Sequence, residues 1–241
     1  MSNKEAYIVS REEFLSMFRS RITDADFCGR CADLFYDYYV MLAAKNEKIN
    51  LTAITEPKEV IEKHFLDSLQ PYFLGIIKDC SFVADVGSGA GFPGIPLAIA
   101  LPHCRFTLIE PIKKRADFLL SVINVLSLKN CEVFAVRSED AEKALRESFD
   151  VVCSRAVSRL NVLSEYCLPL VKVGGKMIAL KGPAAQEEIA EAENAISILG
   201  GDTPLLVPCH DETRNIVSVT KIAVTPEKYP RRAGIPEKRP L

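Results

Sequence analysis

From residue 81 to about residue 199 the chain alternates short apolar runs with longer amphipathic ones, and this rhythm restricts the fold more than any other feature. The runs "SFVADV", "RFTLIE", "CEVFAV", "FDVVCS" and "GKMIAL" read as strands, and residues 94–101, 113–127, 139–147, 159–171 and 184–199 read as helices. Strand–helix–strand repetition predicts a parallel, doubly wound sheet with helices on both faces. The last apolar stretches, "TPLLVPC" and "NIVSVTKIAV", are joined only by "HDETR" and should form an antiparallel hairpin at the sheet edge. With 241 residues, 48% of them hydrophobic, the chain can bury one large α/β core plus a small appendage.

Ahead of the sheet, Phe14, Leu15 and Phe18, then Leu34, Phe35, Tyr38, Met41 and Leu42, recur at helical spacing, so residues 11–50 are expected to be helical. "INLTAITEP" breaks that stretch, and Thr55 is the expected cap of a helix from about Pro57 to Leu69. The tail "YPRRAGIPEKRPL", rich in proline and base, is expected to be irregular. The chain thus divides into a helical N-terminal extension packed on the core (1–75), a ligand-binding α/β domain (76–228) and a basic C-terminal tail (229–241).

No window approaches 18 consecutive apolar residues and "MSNKEAYIVSREEF" has no signal-peptide pattern, so no membrane span and a cytoplasmic location are expected. The eight cysteines, mostly single among apolar neighbours, are then expected to be reduced thiols. Cys28-x-x-Cys31 is either half a zinc site or redox pair, or two core cysteines on a helix; no second pair lies near it, and no metal is expected.

The turn between the first strand and first helix, "VADVGSGAGFPGIPLAIA", holds four glycines in eight residues. In an open α/β sheet this crevice, beyond the strand C-termini, is where ligands bind. Gly87, Gly89 and Gly91 let the backbone turn tightly and come close to a ligand. Gly89-x-Gly91-x-x-Gly94 also satisfies the dinucleotide fingerprint, so the glycines alone do not name the ligand. Asp85, two residues before Gly87, suits a cationic ligand and would repel a pyrophosphate. The amino group and sulfonium of S-adenosylmethionine (SAM) fit better than the phosphates of NAD. Glu110, at the second strand's end, can accept from both ribose hydroxyls of either cofactor. Pro93 removes a donor that a pyrophosphate would use. Ser138, Glu139 and Asp140 lie where an adenine amino group could be met, or else cap the third helix of the sheet.

A net charge of −2 argues against sequence-blind nucleic-acid binding. The positive residues are nonetheless clustered, at Lys113–Arg115 and at Arg231, Arg232, Lys238 and Arg239, and such patches can steer a polyanion. Arg155 leaves the fourth strand facing the glycine loop, or else is paired with Asp150 or makes a helix-end contact. Lys181 leaves the fifth strand similarly and could meet a phosphate or be a plain surface lysine. His64, on the helix of "EVIEKHFLDSL", reads as a half-buried packing residue unless that helix covers the site.

"NLTAI" (50–54), "HFLDSL" (64–69), "DVGSGAGFPGIPLAI" (85–99), "KKRADFL" (113–119), "SRAVSRL" (154–160) and "YPRRAGIP" (229–236) occur in this order, and together they resemble the RsmG (GidB) family. The glycine motif alone would indicate only a class I SAM-dependent methyltransferase fold; "HFLDSL" and the "YPRR" tail narrow it. The resemblance covers about Asn50 to the C-terminus. It implies a bacterial methyltransferase that uses SAM to methylate N7 of a guanine in 16S ribosomal RNA. Candidate cofactor contacts are Asp85, Gly87, Gly89, Gly91, Phe92, Glu110, Pro111, Ile112, Ser138, Glu139 and Arg155; candidate RNA contacts are His64, Lys181, Arg231 and Arg232. The chain departs from the family where Asp-Ser is common and Glu110-Pro111 stands instead.

Guanine N7 has a lone pair and no proton, so no general base is required and no catalytic residue is assigned; proximity, orientation and desolvation carry the reaction. The expected partner is 16S rRNA or the small ribosomal subunit, with the protein acting as a monomer. The alternatives are an NAD-dependent oxidoreductase and a non-catalytic RNA-binding assembly factor.

Overall fold

A computed structural model describes residues 8–209, 211 and 213–241; residues 1–7, and His210 and Glu212 of the expected hairpin turn, lie outside it. Among the described residues, β1 (Phe82–Val86), β2 (Arg105–Ile109), β3 (Cys131–Phe134), β4 (Phe149–Arg155), β5 (Val171–Lys181), β6 (Leu205–Pro208) and β7 (Asn215–Thr220) form one sheet in the order β3-β2-β1-β4-β5-β7-β6. β1 to β5 are parallel, β7 runs antiparallel to β5, and β6 is antiparallel to β7. The sheet is the mixed, doubly wound one that the alternation predicts, ending in an antiparallel hairpin. Strand order reverses between β1 and β4, so their C-terminal ends open a crevice.

The N-terminal helical stretch is two helices, α1 (Arg11–Arg19) and α2 (Ala25–Ile49), each starting at its own cap: Ser10 accepts from Glu13 N and Asp24 from Phe27 N. The next helical run joins α3 (Pro57–Glu59), a π-helical turn Val60–Leu66 and α4 (Asp67–Phe73). Its cap is Glu56 rather than Thr55, because the Glu56 carboxylate reaches Glu59 N. Around the sheet lie α5 (Gly94–Ala100), α6 (Lys113–Val125), α7 (Ser138–Leu145), α8 (Leu160–Cys167) and α9 (Ala185–Ile198). The N-cap of α7 is Arg137, which makes no side-chain cap bond, so Ser138 and Asp140 are not its caps.

Two apolar layers sandwich the sheet. On one face the α2 stripe of Phe27, Cys31, Phe35, Tyr38 and Leu42 shares a single cluster with Phe106, Leu108 and Leu119. Its spacing is the helical period, so one side of α2 is continuous with the sheet core. Cys28 and Cys31 are free thiols within that stripe. On the other face α8 and α9 pack over Val152, Met177 and Val217.

The tail differs from the expectation of irregular chain. It forms a short helix, α10 (Ile235–Lys238), and Tyr229 and Pro236 are buried. Arg231 explains the docking. Its backbone N–H and its guanidinium bind Glu165, a carboxylate with no exposure, at 2.6 to 3.1 Å. Arg146 adds bonds to the carbonyls of Tyr229 and Thr225. Removing one partner of such a pair strands the other charge in the interior. Arg231→Ala is therefore expected to lower unfolding stability by about 2–3 kcal/mol, measured as a shift of the urea midpoint at unchanged slope. A loss under ~0.5 kcal/mol would mean that the tail is not held by this pair.

Candidate functional site

The glycine loop is held from below by two carboxylates. Asp85 sits near the end of β1 with no exposed surface; its Oδ2 accepts from Gly94 N at 2.9 Å. Glu110 follows β2, is 2% exposed, and accepts from Gly89 N (2.8 Å) through Oε2 and from Ile112 N (2.9 Å) through Oε1. Gly87 N and Ser88 N both bond the Ile109 carbonyl. From α2, the Tyr38 hydroxyl donates to the Ala90 carbonyl at 2.5 Å. Gly91 has φ +107, and a Cβ there would lie 2.6 Å from Tyr38 Oη, so only glycine lets the helix close on the loop.

The placement of the two carboxylates differs from the simplest reading of the sequence. Asp85 lies beneath the loop rather than on its open face, and Glu110 is already engaged through both oxygens. Each oxygen of Glu110 keeps a second lone pair for a hydroxyl donor. Burial raises the Asp85 carboxyl to about 7, against the opposing effect of the Gly94 N–H and Ser88. Its Oδ1 is buried and has no hydrogen-bond partner among the described residues.

Beside the loop, Gly87, Pro111, Ser138 and Glu139 border a cavity of about 140 Å³ whose apolar lining includes Val86, Ile109 and Val157. Glu139 Oε1 is also buried and unpartnered, while Oε2 accepts from Ser138 Oγ at 3.1 Å. The unpartnered acceptor of Glu139, with the carboxylates of Glu139 and Glu237 set against the single cation Arg137, calls for a ligand that brings donors or positive charge. SAM, with its adenine amino group, ribose hydroxyls, ammonium and sulfonium, fits; the pyrophosphate of NAD would meet the carboxylate of Glu139 and lose a donor at Pro93. A larger cleft of about 770 Å³, around Phe82, Arg105 and Lys129, lies at the opposite ends of the strands and plays no part in this site.

On the other flank of the loop the structure assembles Arg155, His64, Phe92 and Asp67. Arg155 Nη1 donates to Asp67 Oδ2 (2.8 Å) and to the Lys63 carbonyl (2.9 Å), and its guanidinium lies 4.8 Å from the Phe92 ring centroid. Its ion-pair partner is thus Asp67, not Asp150, which pairs with Lys172. His64 stacks on Phe92 at 4.5 Å and is 8% exposed. The guanidinium can only donate, so its 3.2 Å contact makes His64 Nδ1 the acceptor. The ring proton then sits on Nε2, which donates to Thr52 Oγ1 at 2.7 Å. Burial, followed by the Arg155 charge, lowers the His64 pKa to about 3. The π-helical turn does cover the loop, and His64 is a neutral strut of that cover.

Other candidates are spent elsewhere. Lys181 Nζ, largely buried, donates to Glu188 and to the Ser158 carbonyl, both at 2.7 Å, and presents no free charge to a phosphate. Arg231 is held by Glu165. Arg232 is exposed, and its side chain makes no hydrogen bond or ion pair among the described residues. Asp67, Tyr38 and Arg214 enter the site unannounced by the sequence reading. Asp67 stands inside "HFLDSL", and Tyr38 belongs to the apolar stripe of α2, where it reads as core. Lys63, Asp67, Cys209 and Arg214 line a cleft of about 290 Å³ that opens beside Arg155.

Residues 32–217 match the family model described as GidB: rRNA small subunit methyltransferase G. The chain is 48% identical to the ribosomal RNA small subunit methyltransferase G of Lactobacillus johnsonii, over 86% of this chain and 90% of the relative. It is 43% identical to the protein of the same name from Brevibacillus brevis, over 97% of this chain and all of the relative. A solved structure of a SAM-dependent methyltransferase from Aquifex aeolicus is similar in fold, with a TM-score of 0.51 at 21% identity, covering 65% of this chain and 92% of its own.

Because folding raises the Asp85 pKa, the stability contributed by this group is full below the ordinary carboxylate range and is lost as pH rises through about 7. Asn keeps an acceptor for Gly94 N–H and carries no charge. In ligand-free protein the melting-temperature gain of Asp85→Asn over wild type should therefore be larger at pH 8 than at pH 5. An equal difference at both pH values would show that Asp85 keeps an ordinary pKa.

Proposed function

The chain belongs to the GidB family of rRNA small subunit methyltransferases, and from that membership we propose that it transfers a methyl group from SAM to N7 of a guanine in 16S rRNA. The substrate is the RNA or the small subunit containing it. The protein acts as a cytoplasmic monomer without a metal; among the described residues no helix is long and apolar enough to cross a membrane.

SAM, when bound, supplies an electrophilic methyl group on a sulfonium. The residues proposed to hold it are the backbone of Gly87, Gly89 and Gly91, with Phe92, Pro111, Ile112, Ser138 and Glu139, backed by Asp85 and Glu110. Arg155 keeps Phe92 and the π-helical turn in place, and its charge is neutralised by Asp67. That pairing suits a reaction whose product ring is cationic. Arg232, exposed and with its side chain unpaired among the described residues, is the cation best placed to meet a phosphate; Lys63 and Arg214 lie beside the π-helical turn and are paired with Glu59 and Asp67.

N7 is best supported by how few groups at the site are left to act as a base: the carboxylates with free oxygens, Glu139 and Glu237, border the cavity assigned to the cofactor, and the others are engaged or buried. His64 is neutral down to about pH 3 and both its nitrogens are engaged. Asp85 has no exposed surface, and Glu110 holds two backbone N–H groups. A nucleophile that needs no deprotonation suits such a site; an exocyclic amine does not.

RNA carrying 7-deazaguanine at the target position is expected to bind and accept no methyl group, since the attacking nitrogen becomes a C–H. With ordinary RNA and saturating SAM, the single-turnover rate should stay flat from pH ~6.5 to ~8.5. Transfer to the 7-deaza substrate at the normal rate would overturn the N7 assignment.

A further inference from the structure

The cavity bordered by Gly87, Pro111, Ser138 and Glu139 is completed by two residues that no glycine motif contains: Tyr166 on α8 and Glu237 on α10. Glu237 belongs to the C-terminal tail, 151 residues beyond Val86 at the end of β1. The tail reaches the cavity because α8 holds it. Glu165 grips Arg231, and the next residue, Tyr166, faces the cavity and the Glu237 carboxylate. Pro236, the neighbour of Glu237, is buried. Burial, with the charges of Glu139 and Glu237, pushes the Tyr166 phenol well up, so it stays a neutral hydroxyl. The carboxylates of Glu139 and Glu237, the first with a buried oxygen that has no partner, outweigh the one cation on the lining, Arg137, so the cavity favours a ligand bearing N–H and O–H donors.

We infer that the C-terminal segment is a wall of the cofactor site: Glu237 accepts a hydrogen bond from the adenosine part of SAM, and bound SAM in turn holds the tail against α8. The inference rests on the reading that the glycine loop binds SAM. It links two parts of the protein that otherwise look separate. Arg232, Lys238 and Arg239 flank or follow Glu237 and are exposed, so the cofactor fixes the position of cations that can meet RNA phosphates. By reciprocity, RNA that binds the docked tail tightens SAM.

The test uses the full-length chain. SAM is titrated calorimetrically into wild type, Glu237→Ala and Glu237→Gln, and tryptic cleavage of the wild-type tail is followed with and without saturating SAM. Glu237 is exposed on a short helix, so ligand-free melting temperatures should be unchanged. Glu237→Ala is expected to weaken SAM about fivefold and Glu237→Gln, which keeps an acceptor, less than about twofold. Saturating SAM should slow tryptic release of the segment after Arg232. Wild-type affinity in Glu237→Ala, together with cleavage indifferent to SAM, would overturn the inference and leave the SAM site standing. A wild-type chain that binds no SAM would overturn the cofactor reading itself, and the inference with it.

Discussion

Two carboxylates that never meet bulk water hold the ligand face together. A loop of four glycines has almost no side chains with which to fix itself, and its backbone N–H groups need acceptors. Asp85 takes Gly94 N–H, and Glu110 takes those of Gly89 and Ile112. Leaving one such donor unpaired costs about 1–3 kcal/mol, comparable with the cost of burying an acceptor without full compensation. The loop therefore stays tight while Asp85 keeps one oxygen in reserve. The N-terminal helices seal the outside through Tyr38 on Ala90, so the helical extension is part of the site's construction.

The loop lies between two different surroundings. The Ser138–Glu139 flank is negative and waits for donors, with the carboxylate of Glu237 added from the tail. The opposite flank is built round Arg155, whose charge is met by Asp67, and opens into a cleft where Lys63 and Arg214 stand among Glu62, Asp67 and Asp211.

The sheet was legible because its strands are buried on both faces and must be continuously apolar, while the helices between them keep one polar side. The loop was legible because glycine has a backbone meaning that no partner residue alters. Side-chain partners were harder to read. Arg231 and Lys181 look like surface cations in a string of residues; only the fold brings Glu165 and Glu188 against them. Arg155 was correctly expected to leave β4 beside the loop, but the identity of its partner depended on a helix 88 residues away in sequence. Tyr38 gave no signal, because a hydroxyl that bonds a loop carbonyl and one that merely packs occupy the same position in an apolar stripe. The tail read as irregular from its prolines, although its docking depends on one buried carboxylate.

The central claim is that the loop held by Asp85 and Glu110 is a SAM site. Its most direct test is calorimetric titration of SAM, and separately of NADH, into wild type and Glu110→Ala. The account predicts one SAM per chain in wild type, at least tenfold weaker binding (~1.4 kcal/mol) in Glu110→Ala, and no measurable affinity for NADH. Equal SAM affinity in the two proteins, or preference for NADH in wild type, would contradict it.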